Sequence, residues 1–139
     1  MPNPFNTSKS FFEPLMDIED FHQKFGLEQK EAKLTVHPEQ LTHEEWQLRH
    51  TRLLEEIAEC DEAFHDKKDH EYLDGLVDLV YIALGTAYRR GWDFAAAWNR
   101  VHDANMKKER GEEHTSKYGS SFDIVKPKGW VAPTMKDLV

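Results

Sequence analysis

Apolar residues recur along most of the chain at the spacing of helices. Ile18, Phe21 and Phe25 stand at i, i+3 and i+7, which places them on one side of a helix. Gly26 follows where a helix C-cap is expected. The pattern predicts a short first helix near residues 15–25.

A long second helix is predicted after a connecting segment, residues 27–40. Thr42 is a candidate N-cap because Glu45 stands three residues later, which is the spacing of a capping box. Helical spacing then continues to about His65. The predicted apolar stripe consists of Trp46, Leu53, Leu54, Ile57, Cys60 and Phe64.

The third predicted helix, residues 70–90, is the most apolar part of the chain. We expect it to be buried on most sides. Gly91 ends it, and Asp93 caps a fourth helix predicted for residues 94–109. The tail, residues 111–139, is rich in turn-forming residues, and we expect it to pack on the helices or on a second subunit.

Composition narrows the class of protein. With 139 residues, the chain is expected to form one all-α domain over residues 1–139, with four to five helices. Cys60 is the sole cysteine, which excludes an intramolecular disulfide, and no secretory signal is visible, so we expect a cytoplasmic protein. No apolar run reaches the roughly 18 residues that a membrane helix needs.

The charge distribution argues against binding to nucleic acid. Residues 1–105 carry 11 Lys and Arg and 21 Asp and Glu, a net charge of -10, whereas residues 106–139 carry 7 and 5, a net charge of +2. A protein that binds duplexes needs a basic stripe to neutralise phosphates, and none is visible. A small polyanion held by divalent cations is compatible with this acidic body.

Two acidic clusters lie on neighbouring predicted helices. Glu55, Glu56 and Glu59 stand at helical spacing on the second helix, and Asp74 and Asp78 interrupt the apolar third helix. An isolated carboxylate costs several kcal/mol to bury, so such residues usually have a cation or hydrogen-bond donors as partners. A short turn between the helices would bring both clusters together. Carboxylate oxygens in this number suit Mg²⁺, with Mn²⁺ as a second possibility.

Other interpretations of these acids remain open at this point. Glutamates are common on solvated helix faces, and the aspartates could be paired with Arg or Lys. The spacing ExxH, at Glu19–His22 and Glu62–His65, is also that of ferritin-like di-iron bundles. A helical interaction module without catalysis is a further alternative.

The order of motifs resembles the all-α nucleoside triphosphate pyrophosphohydrolase superfamily, the MazG-like and phosphoribosyl-ATP pyrophosphohydrolase-like group. The resemblance depends on EExxE at 55–59, on DGLVDLVYIALGTAYRRGW at 74–92 and on VHDANMKK at 101–108. It extends outward to FHQKFG at 21–26 and DIVKPKGWVAPTM at 123–135. The implied fold is a MazG-like helical bundle that dimerisation completes.

The resemblance implies metal-dependent hydrolysis of a (d)NTP between the α and β phosphates, giving (d)NMP and pyrophosphate. Glu56, Glu59, Asp74 and Asp78 would hold the ions, and Glu55 would orient or deprotonate the attacking water. The chain departs from the usual ExxD motif, because Gly75 stands at the glutamate position and the acid lies one residue earlier. A literal ExxD occurs instead at Glu71–Asp74, which leaves the register of this motif open.

Further residues are predicted to contact the substrate. Lys107 and Lys108 would meet phosphates and Asn105 the sugar or base, although lysines also favour a helix C-terminus electrostatically. Phe21 and Tyr81, together with Phe25 and Trp46, could form a base-stacking wall. The predicted substrate-binding set is Asn105, Lys107, Lys108, Arg52, Tyr81 and Phe21.

The resemblance leaves the substrate open. A (d)NTP is the first expectation, and phosphoribosyl-ATP is the alternative within the same fold. The apolar third helix would be partly exposed in a monomer, so we expect a homodimer or a dimer of dimers.

Overall fold

The computed structural model describes residues 12–27 and 42–139. The chain divides into two compact units, residues 1–92 and 93–139, which are described separately below. Most of the connection predicted for residues 27–40 lies outside the described residues.

The first unit begins with helix α1, Phe12–Lys24, which starts three residues earlier than predicted. Gly26 follows with a φ of +66°, a conformation that glycine adopts without steric cost. The Leu27 N–H donates to the His22 carbonyl oxygen at 2.8 Å. This hydrogen bond closes the C-terminus of α1 as the sequence predicts.

Helix α2, His43–His65, has the predicted bounds. The Thr42 hydroxyl accepts a hydrogen bond from the Glu45 N–H at 3.2 Å and thereby caps the N-terminus. At the other end, Lys67 adopts a φ of +57°, and the Lys68 N–H donates to the Ala63 carbonyl at 2.9 Å. These contacts reverse the chain within three residues.

Helix α3, Asp69–Arg90, returns along α2 and ends at Gly91, which has a φ of 70°. The contacts between the two helices run in opposite directions along the chain: Phe64 meets Tyr72 near the turn, and Glu45 meets Arg89 at the far end. The two helices are therefore antiparallel neighbours, as expected from the short turn.

Few apolar side chains are buried among the described residues of the first unit. They are Ile18, Cys60, Ala63, Leu84 and Ala87. Several large apolar residues of α2 and α3 remain exposed: Leu54, Ile57, Phe64, Leu73, Leu76, Val77 and Val80. The expectation that α3 is buried on most sides is wrong for the single chain, because one long side of this helix has no packing partner among the described residues.

The second unit contains α4, Phe94–Asn105, whose N-terminus the Asp93 carboxylate caps. This helix is shorter than predicted, because Glu109–Arg110 forms a strand, β1, that pairs with β2, Ile124–Val125. A final 3₁₀-helix covers Lys136–Leu138.

Hydrogen bonds join the tail to α4. The Trp130 Nε1–H donates to the Ala104 carbonyl at 2.7 Å, and Arg100 donates to both carboxylate oxygens of Asp137 at 2.6 and 2.7 Å. The hydrogen bonds from Arg100 lower the pKa of Asp137 to about 2. Residues 12–27 and 42–139 contain four α-helices and two short strands, which confirms the predicted all-α class. None of the helices in the described ranges combines the length and apolar character that a bilayer crossing requires.

Candidate functional site

Three helices of the first unit line an open groove of about 900 Å³. Helix α2 contributes Glu45, Arg49, Arg52 and Glu56, which follow one another at intervals of four, three and four residues. This spacing places all four on one side of the helix. The groove is therefore lined by charged side chains along its length.

Helix α3 forms the opposite side of the groove. Asp78, Ile82, Gly85 and Arg89 follow the same intervals of four, three and four residues. Because the helices are antiparallel, Asp78 lies at the end with Glu56, and Arg89 lies at the end with Glu45. Helix α1 adds Phe21 and His22, and the remaining lining residues are Leu27, Thr42, Glu44, Leu48 and Tyr81.

We call the part of the groove at Glu56 and Asp78 the acidic end. The Oε2 atom of Glu56 is buried and has no hydrogen-bond partner among the described residues. Burial raises the pKa of the Glu56 carboxyl, and the charges of Asp78, Glu59 and Asp74 raise it further, while Arg52 acts in the opposite direction. The acidic end thus gathers negative charges that repel one another.

The side chains of this end fit a divalent cation in charge and donor type. Four carboxylates lie within electrostatic range, and the unpartnered oxygen of Glu56 is a hard donor of the kind that Mg²⁺ prefers. Within residues 12–27 and 42–139, however, no three His, Cys, Asp or Glu side chains form a group that could hold a metal ion. The carboxylates lie near one another without converging on one point.

The two acids that the open register of the aspartate motif offers have different surroundings. Asp74 acts on the charge of Glu56, whereas Glu71 is exposed and lies 3.5 Å from the Lys68 ammonium. The geometry therefore favours Asp74 over Glu71 as a neighbour of the acidic end. Glu55 is exposed and does not line the groove, so its predicted role with water stays a prediction.

The residues predicted to bind substrate have different locations. Arg52, Phe21 and Tyr81 line the groove, and the last two meet edge to face with ring centroids 5.4 Å apart. Trp46 does not line it and stacks instead between the rings of His43 and His50.

Three further residues of that set belong to the second unit. Asn105 is the last residue of α4, and Lys107 and Lys108 follow it. The Lys108 ammonium lies over the Trp130 ring, 5.2 Å from its centroid. Their contacts with substrate stay a prediction.

We call the opposite part of the groove, formed by His22, Glu45, Arg49 and Arg89, the basic end. The Glu45 carboxylate accepts hydrogen bonds from Arg89 Nε at 2.8 Å and from Arg89 Nη2 at 3.3 Å. Arg89 also donates through Nη1 to the Leu27 carbonyl at 2.9 Å. Because both side chains are about four-fifths buried, this ion pair is held in one geometry.

His22 is neutral and almost completely buried at the basic end. Its ring Nδ1 donates to the Ile18 carbonyl oxygen at 2.7 Å, because a carbonyl can only accept. Nε2 is then an acceptor and faces Arg49 Nη2 at 3.4 Å. Burial lowers the pKa of His22, and the charges of Arg49 and Arg89 lower it further.

Sequence reasoning misses the basic end. It singles out His22 only as half of an ExxH pair, and it does not assign Arg49, Glu45 or Arg89 to the site. One signal is available, since Glu45 and Arg49 continue the helical spacing that leads to Glu56. Arg89, however, joins the groove only through its position on α3, far from Glu45 along the chain.

The di-iron alternative loses its basis in the described residues. It requires His22 and His65 as metal ligands. His22 uses both ring nitrogens in the contacts given above. His65 is the last residue of α2, sixteen residues beyond Arg49, which His22 contacts, so the two imidazoles lie far apart.

Comparison with known proteins supports the fold. Residues 18–105 match the phosphoribosyl-ATP pyrophosphohydrolase family. No match was found among curated proteins. The matched region contains the whole of α2, α3 and α4, and therefore both acidic clusters. A member of this family is a pyrophosphohydrolase, which cleaves a phosphoric anhydride. The chain belongs to the phosphoribosyl-ATP pyrophosphohydrolase family, within the MazG-like all-α nucleoside triphosphate pyrophosphohydrolase superfamily.

Proposed function

We propose that the protein is a Mg²⁺-dependent nucleoside triphosphate pyrophosphohydrolase, which cleaves a (d)NTP between the α and β phosphates to (d)NMP and pyrophosphate. The observation that carries this proposal is the Glu56 carboxylate, which lies near Asp78 and other acids in the groove and has one oxygen, Oε2, without a hydrogen-bond partner among the described residues, in a chain of this family. Such a carboxylate is stabilised by a cation, and a cation can hold phosphates.

Glu56, Glu59, Asp74 and Asp78 would hold the cation, Mg²⁺ or Mn²⁺. When bound, the ion supplies charge that offsets the developing negative charge on pyrophosphate, and it lowers the pKa of the attacking water. Glu55 adjoins the ligand set without completing it, so we assign it the orientation or deprotonation of this water.

The other side chains of the groove would bind the nucleotide. The edge-to-face pair of Phe21 and Tyr81 offers apolar surface on which a base can stack. Arg52 can neutralise phosphate charge, because it lines the groove beside Glu56. Asn105, Lys107 and Lys108 are proposed to contact the sugar and phosphates.

The decisive experiment is a turnover assay with purified protein. A panel of NTPs and dNTPs is incubated with Mg²⁺, Mn²⁺ or EDTA, and pyrophosphate and nucleoside monophosphate are quantified. We expect equimolar release of both products from at least one nucleotide, and none with EDTA. Release of orthophosphate instead would contradict cleavage between the α and β phosphates.

The same panel tests two rival functions. The family name favours phosphoribosyl-ATP as substrate equally well, so this compound is included, and its exclusive turnover would assign that reaction. A non-catalytic interaction module would bind metal but release no pyrophosphate from any nucleotide. The cytoplasm, where nucleotides are abundant, remains the expected location.

We further propose that the protein is a homodimer, or a dimer of dimers. The exposed apolar side chains on α2 and α3 offer a surface that a second copy could cover. Multi-angle light scattering should give a multiple of 16.3 kDa, and Val77→Asp should shift the mass toward the monomer. Monomeric wild-type protein would contradict this proposal.

A further inference from the structure

We propose that the second unit carries a binding site for a diphosphate group, formed by Lys108, Lys126 and the ring of Trp130. Lys108 is already proposed to contact phosphates, and the new members of the site are Lys126 and Trp130. The site rests on the proposed function for the source of the diphosphate, which is a nucleotide or the pyrophosphate released from it. The preference for a diphosphate follows from contacts within the second unit alone.

The ring of Trp130 is held in place by two hydrogen bonds of its own residue. The indole Nε1–H donates to the Ala104 carbonyl at 2.7 Å, and the backbone N–H donates to the Pro127 carbonyl at 3.0 Å. The second bond closes a four-residue turn whose third residue, Gly129, has a φ of 82°. A type II turn requires such a φ at this position, and glycine adopts it without strain. The ring therefore has a fixed position beside Lys126, which precedes the turn.

Two lysine side chains meet at this ring. The ammonium groups of Lys108 and Lys126 lie 5.2 and 5.0 Å from the centroid of the Trp130 ring. Strands β1 and β2 pair Glu109 with Val125. Lys108 directly precedes the first of these residues, and Lys126 directly follows the second. The pairing register thus brings the two lysines to the same end of the ribbon, where opposite residues share a face.

The two ammonium groups repel each other. A ring face attracts one cation, but like charges opposite each other on a ribbon are unfavourable. None of the ion pairs among residues 12–27 and 42–139 includes Lys108 or Lys126. Lys126 is exposed and Lys108 is half-buried, so a ligand can reach both. The pair therefore favours a ligand that brings negative charge to both ammonium groups at once.

A diphosphate group meets this requirement. Its charge is spread over oxygens on two phosphorus atoms, and lysine binds phosphate oxygens as a point charge. Orthophosphate carries less charge and has one phosphorus atom, so it serves two separate ammonium groups less well. The arrangement thus distinguishes a diphosphate from a single phosphate.

The indole N–H of Trp130 is a specific reporter for this site. Full-length ¹⁵N-labelled protein in EDTA gives one indole signal for each of its 4 tryptophans, and Trp130→Phe identifies the signal of Trp130. We expect pyrophosphate to shift this signal saturably, and orthophosphate to bind about fivefold or more weakly, the effect of losing one exposed ion pair. Equal affinity for both anions, or no saturable shift with pyrophosphate, would overturn the inference.

Lys126→Gln should weaken pyrophosphate binding about fivefold or more, because it removes one of the two charges. Lys117→Gln is the matched control, since it removes another lysine of the same unit, one whose ammonium lies 4.8 Å from the ring centroid of Tyr118. It should bind as wild type does. Lys126→Arg keeps the charge and the contact with the ring, and its affinity should stay within about twofold of wild type. Equal weakening by Lys126→Gln and Lys117→Gln would refute the site.

The source of the diphosphate is tested with an ATP analogue that has a methylene group between the α and β phosphates. Binding about tenfold tighter than that of pyrophosphate would identify a nucleotide, because the nucleoside adds contacts, whereas equal affinities would identify free pyrophosphate. Turnover with Mg²⁺ is measured separately. A saturable shift of the Trp130 signal without turnover of any nucleotide would contradict the proposed function and support the site, whereas turnover without the shift would overturn the site alone.

Discussion

The two ends of the groove carry opposite charges and are built in different ways. At the acidic end, Glu56 has an unpartnered oxygen and lies among carboxylates that repel it. At the basic end, His22 and Thr86 hold Arg49 in one orientation. The comparison teaches that the acidic end has charges without partners among the described residues, whereas the basic end holds its arginines in place through hydrogen bonds.

Two glycines of α3 have different roles in the first unit. A Cβ atom at Gly75 would lie 2.5 Å from Cys60 Sγ, so this glycine permits the close approach of α3 and α2. A Cβ at Gly85 would lie 3.1 Å from both Arg49 Nη1 and His22 Cε1. Gly75 therefore serves helix packing, and Gly85 makes room for the basic end.

The largest expected effect is on turnover at the acidic end. Asp78→Asn removes one charge without changing the size of the side chain, and we expect activity to fall on the order of 100-fold or more, beyond the loss typical of residues that only support metal ligands. Pyrophosphate release is the measurement. Glu62→Gln, an exposed change on the same pair of helices, is the control, and equal activity of both variants would remove Asp78 from the site.

The second-largest expected effect is on the free energy of unfolding, through the packing of α3 on α2. Gly75→Ala should lower the free energy of unfolding by about 1–3 kcal/mol, because the new methyl group overpacks against Cys60. The higher helix propensity of alanine offsets part of this loss. Urea unfolding measures it. Adding Cys60→Ala should recover much of the loss, because the sulfur that clashes is gone. Gly85→Ala, where the nearest atoms would lie 3.1 Å from the new Cβ and not 2.5 Å, should cost less than Gly75→Ala; the reverse order would refute the assigned roles.

A smaller effect is expected on the thermal stability of the metal-free protein. Glu56 is destabilised in its charged form, since burial and neighbouring carboxylates raise its pKa. Its stabilising contribution is therefore present below the ordinary value of 4.5 and lost as pH rises through the raised pKa. At neutral pH in EDTA, Glu56→Gln should melt a few degrees higher than wild type, and it should gain less from added Mg²⁺. A lower melting temperature in EDTA would show that Glu56 has a stabilising partner.

The smallest effect concerns acid sensitivity of the basic end. The pKa of His22 is lowered below 6.5, chiefly by burial, so its contribution to stability is complete above pH 6.5 and is lost as pH falls toward the lowered value. Between about pH 7.5 and 5.5, the free energy of unfolding should fall more for wild type than for His22→Asn. The difference between the two proteins in the free energy of unfolding can change by at most about 1.4 kcal/mol per pH unit, because a single proton is taken up on unfolding. Identical changes in both proteins would show that His22 titrates normally.

Local signals in the sequence are sufficient to predict the helices. Thr42 and Glu45 define the start of α2, Gly91 ends α3, and Asp93 starts α4, because caps depend on contacts between residues three or four positions apart. The end of α4 is not predictable in this way. It depends on the pairing of Glu109 with Val125, a contact between segments distant in sequence.

The same distinction applies to the site. The sequence by itself determined the all-α fold and the family, since these follow from helical spacing and motif order, and it predicts Glu56 and Asp78 as site residues. Only the tertiary structure decided that His22 meets Arg49 and that Arg89 meets Glu45. The two residues of each pair lie on different helices, so their contact depends on how the helices pack. The partners of a buried charged residue are therefore known only from the tertiary structure.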